Sequence, residues 1–191
     1  MSVFDFQAHC SHCGVQSLAL LLAAFECGKA VASREDIKRK YQGLAIFSFP
    51  ETRQVITEDA IPTRGVTLED MGRLLRGHGH RTKVYFGQHS SVDEFRRVAL
   101  ETLRHEDSSS GIIVNYQRFL LGQSPRRTRY GHHSPLGAYH EATDRFLVLD
   151  TNIVEPTMWL KAQDLFEAMQ DLDDATGKSR GFVVMNGNGR P

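Results

Sequence analysis

Cys13-Gly-Val-Gln-Ser-Leu-Ala-Leu-Leu-Leu-Ala-Ala-Phe-Glu-Cys27-Gly28 is the stretch on which the fold turns. It is rich in helix formers and apolar nearly all round. It stops at Gly28, a residue suited to the left-handed position just past a helix end. The pattern predicts a buried helix over residues 13–27. Gln16 and Ser17 interrupt the apolar run, which at residues 15–25 falls short of the ~20 residues a membrane span needs. Cys13 stands at the start of this helix, where unpaired backbone N–H groups and the helix dipole favour a thiolate.

Outward from this helix, the first half of the chain reads mainly as helix. Ser33-Arg-Glu-Asp36 is a capping-box-like start for a second helix carrying Ile37 and Tyr41. Residues 50–57 are weakly patterned and read as irregular. Thr67-Leu-Glu-Asp70 opens another helix, with Met71, Leu74 and Leu75 on one face. Residues 81–86 alternate as a strand, and Ser91-Val-Asp-Glu94 starts a helix carrying Phe95, Val98, Ala99, Leu100 and Leu103.

The second half is richer in strands. Residues 111–116 form one, and residues 134–139 and 145–151 read as a pair joined by Glu141-Ala-Thr-Asp144. Residues 123–130 read as a loop whose Arg126, Arg127 and Arg129 are solvated. Residues 162–172 form an amphipathic helix with Leu165, Phe166 and Met169 on its apolar face, and residues 181–185 form a last strand. The Gly/Asn-rich tail beyond is expected to fray. Helices first and antiparallel strands later point to α+β.

The chain has 191 residues and no internal repeat, so one domain over residues 1–191 is expected. Lys+Arg and Asp+Glu number 23 each, a formal net charge of +0. This disfavours nucleic acid and anionic membrane as partners, since both call for a basic excess. The first residues carry neither a basic segment nor a continuous apolar one, so no secretory signal is read and a cytoplasmic location is expected. Cys10, Cys13 and Cys27 are too few and too clustered for a disulfide framework, which fits a reducing compartment.

A thiolate nucleophile needs a base that takes a proton and returns it to the leaving amine. His132, in Gly131-His132-His133-Ser134-Pro135, is the candidate. Asp150 closes the apolar run 146–149 and is the candidate to orient the imidazole; its separation of 18 residues from His132 suits neighbouring strands. The order Cys, His, Asp is similar to that of papain-like cysteine proteases. Gln7, six residues before Cys13, falls where those enzymes place an oxyanion donor.

The segment Gln7-Ala-His-Cys-Ser-His-Cys13-Gly14 resembles the nucleophile segment of phytochelatin synthases. Asn115-Tyr116, residues 131–139 and Asp144-Arg-Phe-Leu-Val-Leu-Asp150 resemble that family's His–Asp segment, and Arg180-Gly-Phe182 continues the likeness. The resemblance implies a papain-like fold and cleavage of the Cys–Gly bond of glutathione. A γ-glutamylcysteinyl thioester on Cys13 then passes to water or to a second glutathione. It makes His132 the acid/base, Asp150 its orienter and Gln7 the oxyanion donor. It assigns Gly131 to substrate binding, and Asp173 (or its neighbour Asp174) and Arg180 to the γ-glutamyl group, whose ammonium and carboxylate suit an acid and a guanidinium. No cofactor is required; cadmium or zinc enters only as the thiolate complex of the acceptor glutathione. A homodimer is an allowed assembly. After Asp150 the chain runs Thr151-Asn-Ile-Val-Glu-Pro156, one residue shorter than the family pattern and without its basic residue. Hydrolysis is therefore expected ahead of efficient peptide synthesis.

Other readings stand beside this one. Cys27 reads as an inert core thiol. His9, Cys10, His12 and Cys13 are soft or borderline metal ligands, yet no second Cys pair accompanies them, so no metal site is assigned. Cys10 and Cys13 have the spacing of a redox pair. His78, His80 and His133 read as surface residues. The alternatives to glutathione chemistry are the same acyl transfer on another small γ-glutamyl peptide, and a non-catalytic thiol or metal binder.

Overall fold

A computed structural model describes residues 4–29, 32–104, 110–127, 131–154 and 157–186. The helices are α1 (Cys13–Lys29), α2 (Arg34–Tyr41), α3 (Pro50–Arg53), α4 (Ile61–Arg64), α5 (Leu68–Gly77), α6 (Val92–Leu103) and α7 (Ala162–Met169). The strands are β1 (Arg81–Phe86), β2 (Ser110–Tyr116), β3 (His132–His140), β4 (Arg145–Val148), β5 (Met158–Lys161) and β6 (Gly181–Asn186). They form one sheet in the order β1-β6-β2-β3-β4-β5, every pairing antiparallel. This is an α+β fold, compatible with a papain-like architecture.

The central strands are covered on both faces. Ile113, Val183 and Met185 enter a core built with α1 and α5. Their neighbours Ile112, Val114, Phe182 and Val184 enter a second core with α6 and α7. An antiparallel sheet commonly leaves one face to water and alternates. Here β2 and β6 are nearly continuous apolar runs because each side of the pleat meets helices. Helix α1 lies against β2 and β3 and is flanked by α2 and α5, which accounts for apolar residues all round it.

The expected caps are present. Asp36 and Glu94 each donate their backbone N–H to Ser33 and Ser91 at 3.1 Å, and Thr67 with Asp70 closes a full capping box.

Several boundaries differ from the sequence reading; the strand read at 134–139 spans His132–His140. Helix α1 runs through Gly28 to Lys29. Residues 50–57 are not all irregular, because Pro50 opens the short helix α3 at a position where its missing N–H is not needed. Helix α7 ends at Met169 rather than 172, and the chain then folds into a loop closed by Gly177 N–H donating to the Asp173 carbonyl, with Gly177 at positive φ. Strand β4 stops at Val148, although Leu149 N–H still donates to the Pro135 carbonyl at 2.9 Å. The tail beyond 186, Arg129 and Pro156 lie outside the described residues.

One contact fixes α1 against β3. Ser17 Oγ on α1 donates to the His133 carbonyl at 2.9 Å, both residues being buried. Ser17→Ala leaves that buried acceptor unmet and is expected to lower stability by ~1–3 kcal/mol in urea unfolding. An unchanged midpoint would show that the contact does not hold the helix in place.

Candidate active site

Three residues that carry the proposed chemistry lie at element ends. Cys13 is the first residue of α1, His132 is the first of β3, and Asp150 follows β4 by two residues. Cys13 and His132 are buried and Asp150 is fully so. His132 Nε2 meets Asp150 Oδ1 at 2.7 Å. That carboxylate also accepts the Asn152 N–H at 2.8 Å and the Tyr116 hydroxyl at 3.3 Å. Tyr116 pairs with His132 across β2 and β3 and presents its ring edge-on to the imidazole, so the ring is held on two sides. With Nε2 occupied, Nδ1 is the ring nitrogen left for the Cys13 thiol, which lines the same cavity.

These groups set each other's charge. Burial pushes the Cys13 thiol up, but the neighbouring His132 imidazolium outweighs it, with His133 adding, and holds the thiol well below its ordinary value. Burial opposes charge on His132 as well; the Cys13 thiolate and the Asp150 carboxylate overcome it and push the imidazole up to about 9. Between these two limits the pair is thiolate and imidazolium.

Cys13, His132 and His133 line a cavity of about 380 Å³, whose wall also includes Gly131, Asp173 and Arg180. Arg180 is only 1% exposed. Its Nη1 donates to Asn115 Oδ1 and its Nη2 to the Leu172 carbonyl, both at 3.3 Å, and its Nε lies 3.5 Å from Asp171 Oδ2. Burial draws the guanidinium down, with Asp173 and Asp171 opposing that. A Cβ on Gly131 would fall 2.1 Å from Arg180 Nη1, so glycine is what lets the backbone lie on the guanidinium. Asp173 lines the cavity, whereas Asp174 pairs with Arg127 at 3.0 Å.

Gln7 is placed differently. It does not line the cavity. Its backbone N–H donates to the Thr151 carbonyl, its Oε1 accepts from Thr151 Oγ1 and its Nε2 donates to the His9 carbonyl. It therefore sits beside Asp150, with one amide N–H left for another acceptor.

A model of the family described as phytochelatin synthase matches residues 1–182. The chain belongs to that family. The glutathione gamma-glutamylcysteinyltransferase 1 of Lotus japonicus is 31% identical over 97% of this chain and 35% of its own length. An Arabidopsis thaliana protein of the same name is 28% identical over 97% of this chain and 36% of its own. The glutathione gamma-glutamylcysteinyltransferase of Schizosaccharomyces pombe is 33% identical over 63% of this chain and 28% of its own. The chain thus spans about a third of the length of the curated relatives it matches.

The residues assigned through the phytochelatin synthase resemblance meet in one place, with Gln7 at its margin. The sequence readings of four residues need correction. His133 is not a surface residue: it is 2% exposed and lines the cavity with Cys13, because the sheet is covered on both sides and adjacent strand residues are both enclosed. His80 is also buried, edge-on to Phe25, and His78 is half-buried against Thr52. Arg127 is not simply solvated, since it holds Asp171, Asp174 and the Leu172 carbonyl. The His9–Cys13 segment forms no ligand set: among the described residues no group of three or more His, Cys, Asp or Glu is placed to hold a metal ion. No described helix is long and apolar enough to cross a membrane.

His132→Ala removes the cation that stabilises the Cys13 thiolate. Iodoacetamide labelling of Cys13 at pH 6 is expected to slow ~10-fold or more in that variant. Equal labelling rates would mean that the thiolate does not depend on His132.

Proposed function

We propose that this chain cleaves the Cys–Gly bond of glutathione through a thioester on Cys13. The observation that carries the reading is the Cys13–His132–Asp150 arrangement opening on a cavity that ends in Asp173 and Arg180. The γ-glutamyl end of glutathione bears an ammonium and a carboxylate. Asp173 suits the first and the guanidinium of Arg180 the second. The names of the relatives agree with a γ-glutamylcysteinyl transfer from glutathione.

In this reading the Cys13 thiolate attacks the carbonyl carbon of the cysteinyl residue. Negative charge develops on the carbonyl oxygen. It meets the backbone N–H of Cys13, which has no acceptor within its helix. His132 passes its proton to the glycine nitrogen, the C–N bond breaks and glycine leaves. Asp150 keeps the imidazole ring oriented throughout. His132, now neutral, takes a proton from the second nucleophile. Water yields γ-glutamylcysteine; the α-amino group of a second glutathione yields a longer peptide. Cadmium or zinc acts as the thiolate complex of that acceptor. The setting is a reducing compartment in the cytoplasm, where the three cysteines remain thiols.

Cys13→Ala is expected to abolish glycine release from glutathione, and undiminished release would overturn the proposal. Arg180→Lys replaces a fork with a point charge and should raise KM for glutathione ~10-fold with a smaller change in kcat. The pH profile of kcat/KM should be bell-shaped. As pH rises, activity is lost as His132 gives up its proton near 9. As pH falls, activity holds until well below the ordinary thiol range and is then lost as the thiolate is protonated. A profile that keeps rising past pH 9 would exclude His132 as the proton donor.

A further inference from the structure

Beside His132 stands a second imidazole that the reaction as described leaves without a role. His133 is buried and lines the same cavity as Cys13. It lies opposite Asn115 in the register of β2 and β3. Strand alternation puts Asn115 on the same face as Ile113, the face that packs against α1, and places His133 there too. The Ser17 contact to the His133 carbonyl fixes this part of β3 beneath the first turns of α1.

The hydrogen bonds leading to His133 run in one direction. A guanidinium can only donate, so Arg180 Nη1 must give its proton to Asn115 Oδ1. That fixes the amide and turns Asn115 Nδ2 toward the imidazole, 2.7 Å from Nε2 and 3.0 Å from Nδ1. An amide N–H can only donate, so the ring nitrogen that receives it acts as an acceptor. The other ring nitrogen then carries the hydrogen and is the donor. Arg180, Asn115 and His133 are each at most 2% exposed, so water does not compete along this line.

We propose that His133 is a positioning residue for Cys13. Oriented by Arg180 through Asn115, it donates a ring N–H to the Cys13 sulfur and holds the thiolate in place alongside His132. The site then has two imidazoles with different tasks. His132, tied to a carboxylate, moves the proton. His133, tied to a donor-only line, supplies a fixed hydrogen bond to the sulfur. The same guanidinium proposed to receive the γ-glutamyl carboxylate also sets the orientation of this second donor. The inference rests on Cys13 as the nucleophile and not on glutathione as the substrate.

The test is the pH dependence of Cys13 labelling by iodoacetamide in the full chain without glutathione, resolved by site with tandem mass spectrometry. The other groups that face Cys13 or its cavity are Cys10 and His12 in the preceding turn, His132, Arg64 on α4, Arg118, and Asp173 with Arg180. All stay in place in the variants used. His133→Phe should move the acid limb of labelling upward by about one pH unit, a ~10-fold slower reaction below the limb. Asn115→Leu frees the ring from its donor and should move the limb the same way by less. His133→Gln retains an N–H donor and should restore most of the wild-type limb. A role confined to packing would change stability in urea and leave the limb where it is. An unmoved limb in either folded His133→Phe or folded Asn115→Leu overturns the proposal, as does a His133→Gln limb displaced as far as that of His133→Phe. Because no glutathione is present, failure of the glutathione reading is seen separately, in glycine release.

Discussion

The contact between His132 Nε2 and Asp150 Oδ1, 2.7 Å long and closed to water, is the constraint around which the chain is arranged. A buried carboxylate is costly unless it is paired and its remaining lone pairs are satisfied. Asp150 meets that condition with an imidazole, a backbone N–H and a tyrosine hydroxyl, supplied by β3, the turn after β4, and β2. Those partners converge only when β2, β3 and β4 lie side by side in one register. Cys13, the proposed nucleophile, is then brought in as the first residue of α1, which packs against β3. The all-round apolar character of α1 drives the helix into that position, and Ser17 sets its height.

The same economy of buried polar groups explains the rest of the cavity. Arg180 is a charged side chain in the interior, compensated by Asp171, Asp173, Asn115 and the Leu172 carbonyl. Arg127, from a surface loop, braces Asp171 from the other side. Gly131 supplies the close backbone approach that this crowding requires. A cationic pocket is thereby prepared beside a thiolate–imidazolium pair, its guanidinium held by Asn115 of β2 and by the loop between α7 and β6.

Much of this was legible in the residues. The apolar helix starting at a cysteine, the serine and threonine caps, and the hairpin that brings His132 to Asp150 all depend on short-range patterns. These are a helical period, a capping oxygen three residues before an acid, and two apolar runs joined by a short turn. What was not legible depended on distant parts of the chain. Nothing in residues 81–86 shows that β1 pairs with β6 at the far edge of the sheet. His132-His133 reads as one inward and one outward residue if a strand has a wet face. Both are enclosed here because α1 covers one side and α6 with α7 the other. The role of Arg127 followed from a loop that ends α7 three residues earlier than its apolar pattern suggested, bringing Asp171 and Asp174 into reach. Gln7 was readable by spacing, yet its tie to Thr151 was not.

The central claim is that glutathione acylates Cys13. It is tested most directly by mixing the chain with glutathione, quenching in acid within the first turnover, and mapping the modified peptide by mass spectrometry. The account predicts a γ-glutamylcysteinyl group in thioester linkage on Cys13, removed by hydroxylamine, with one glycine released per acylated chain. Glycine release with no acyl group on Cys13, or an acyl group on Cys10 in its place, would contradict it.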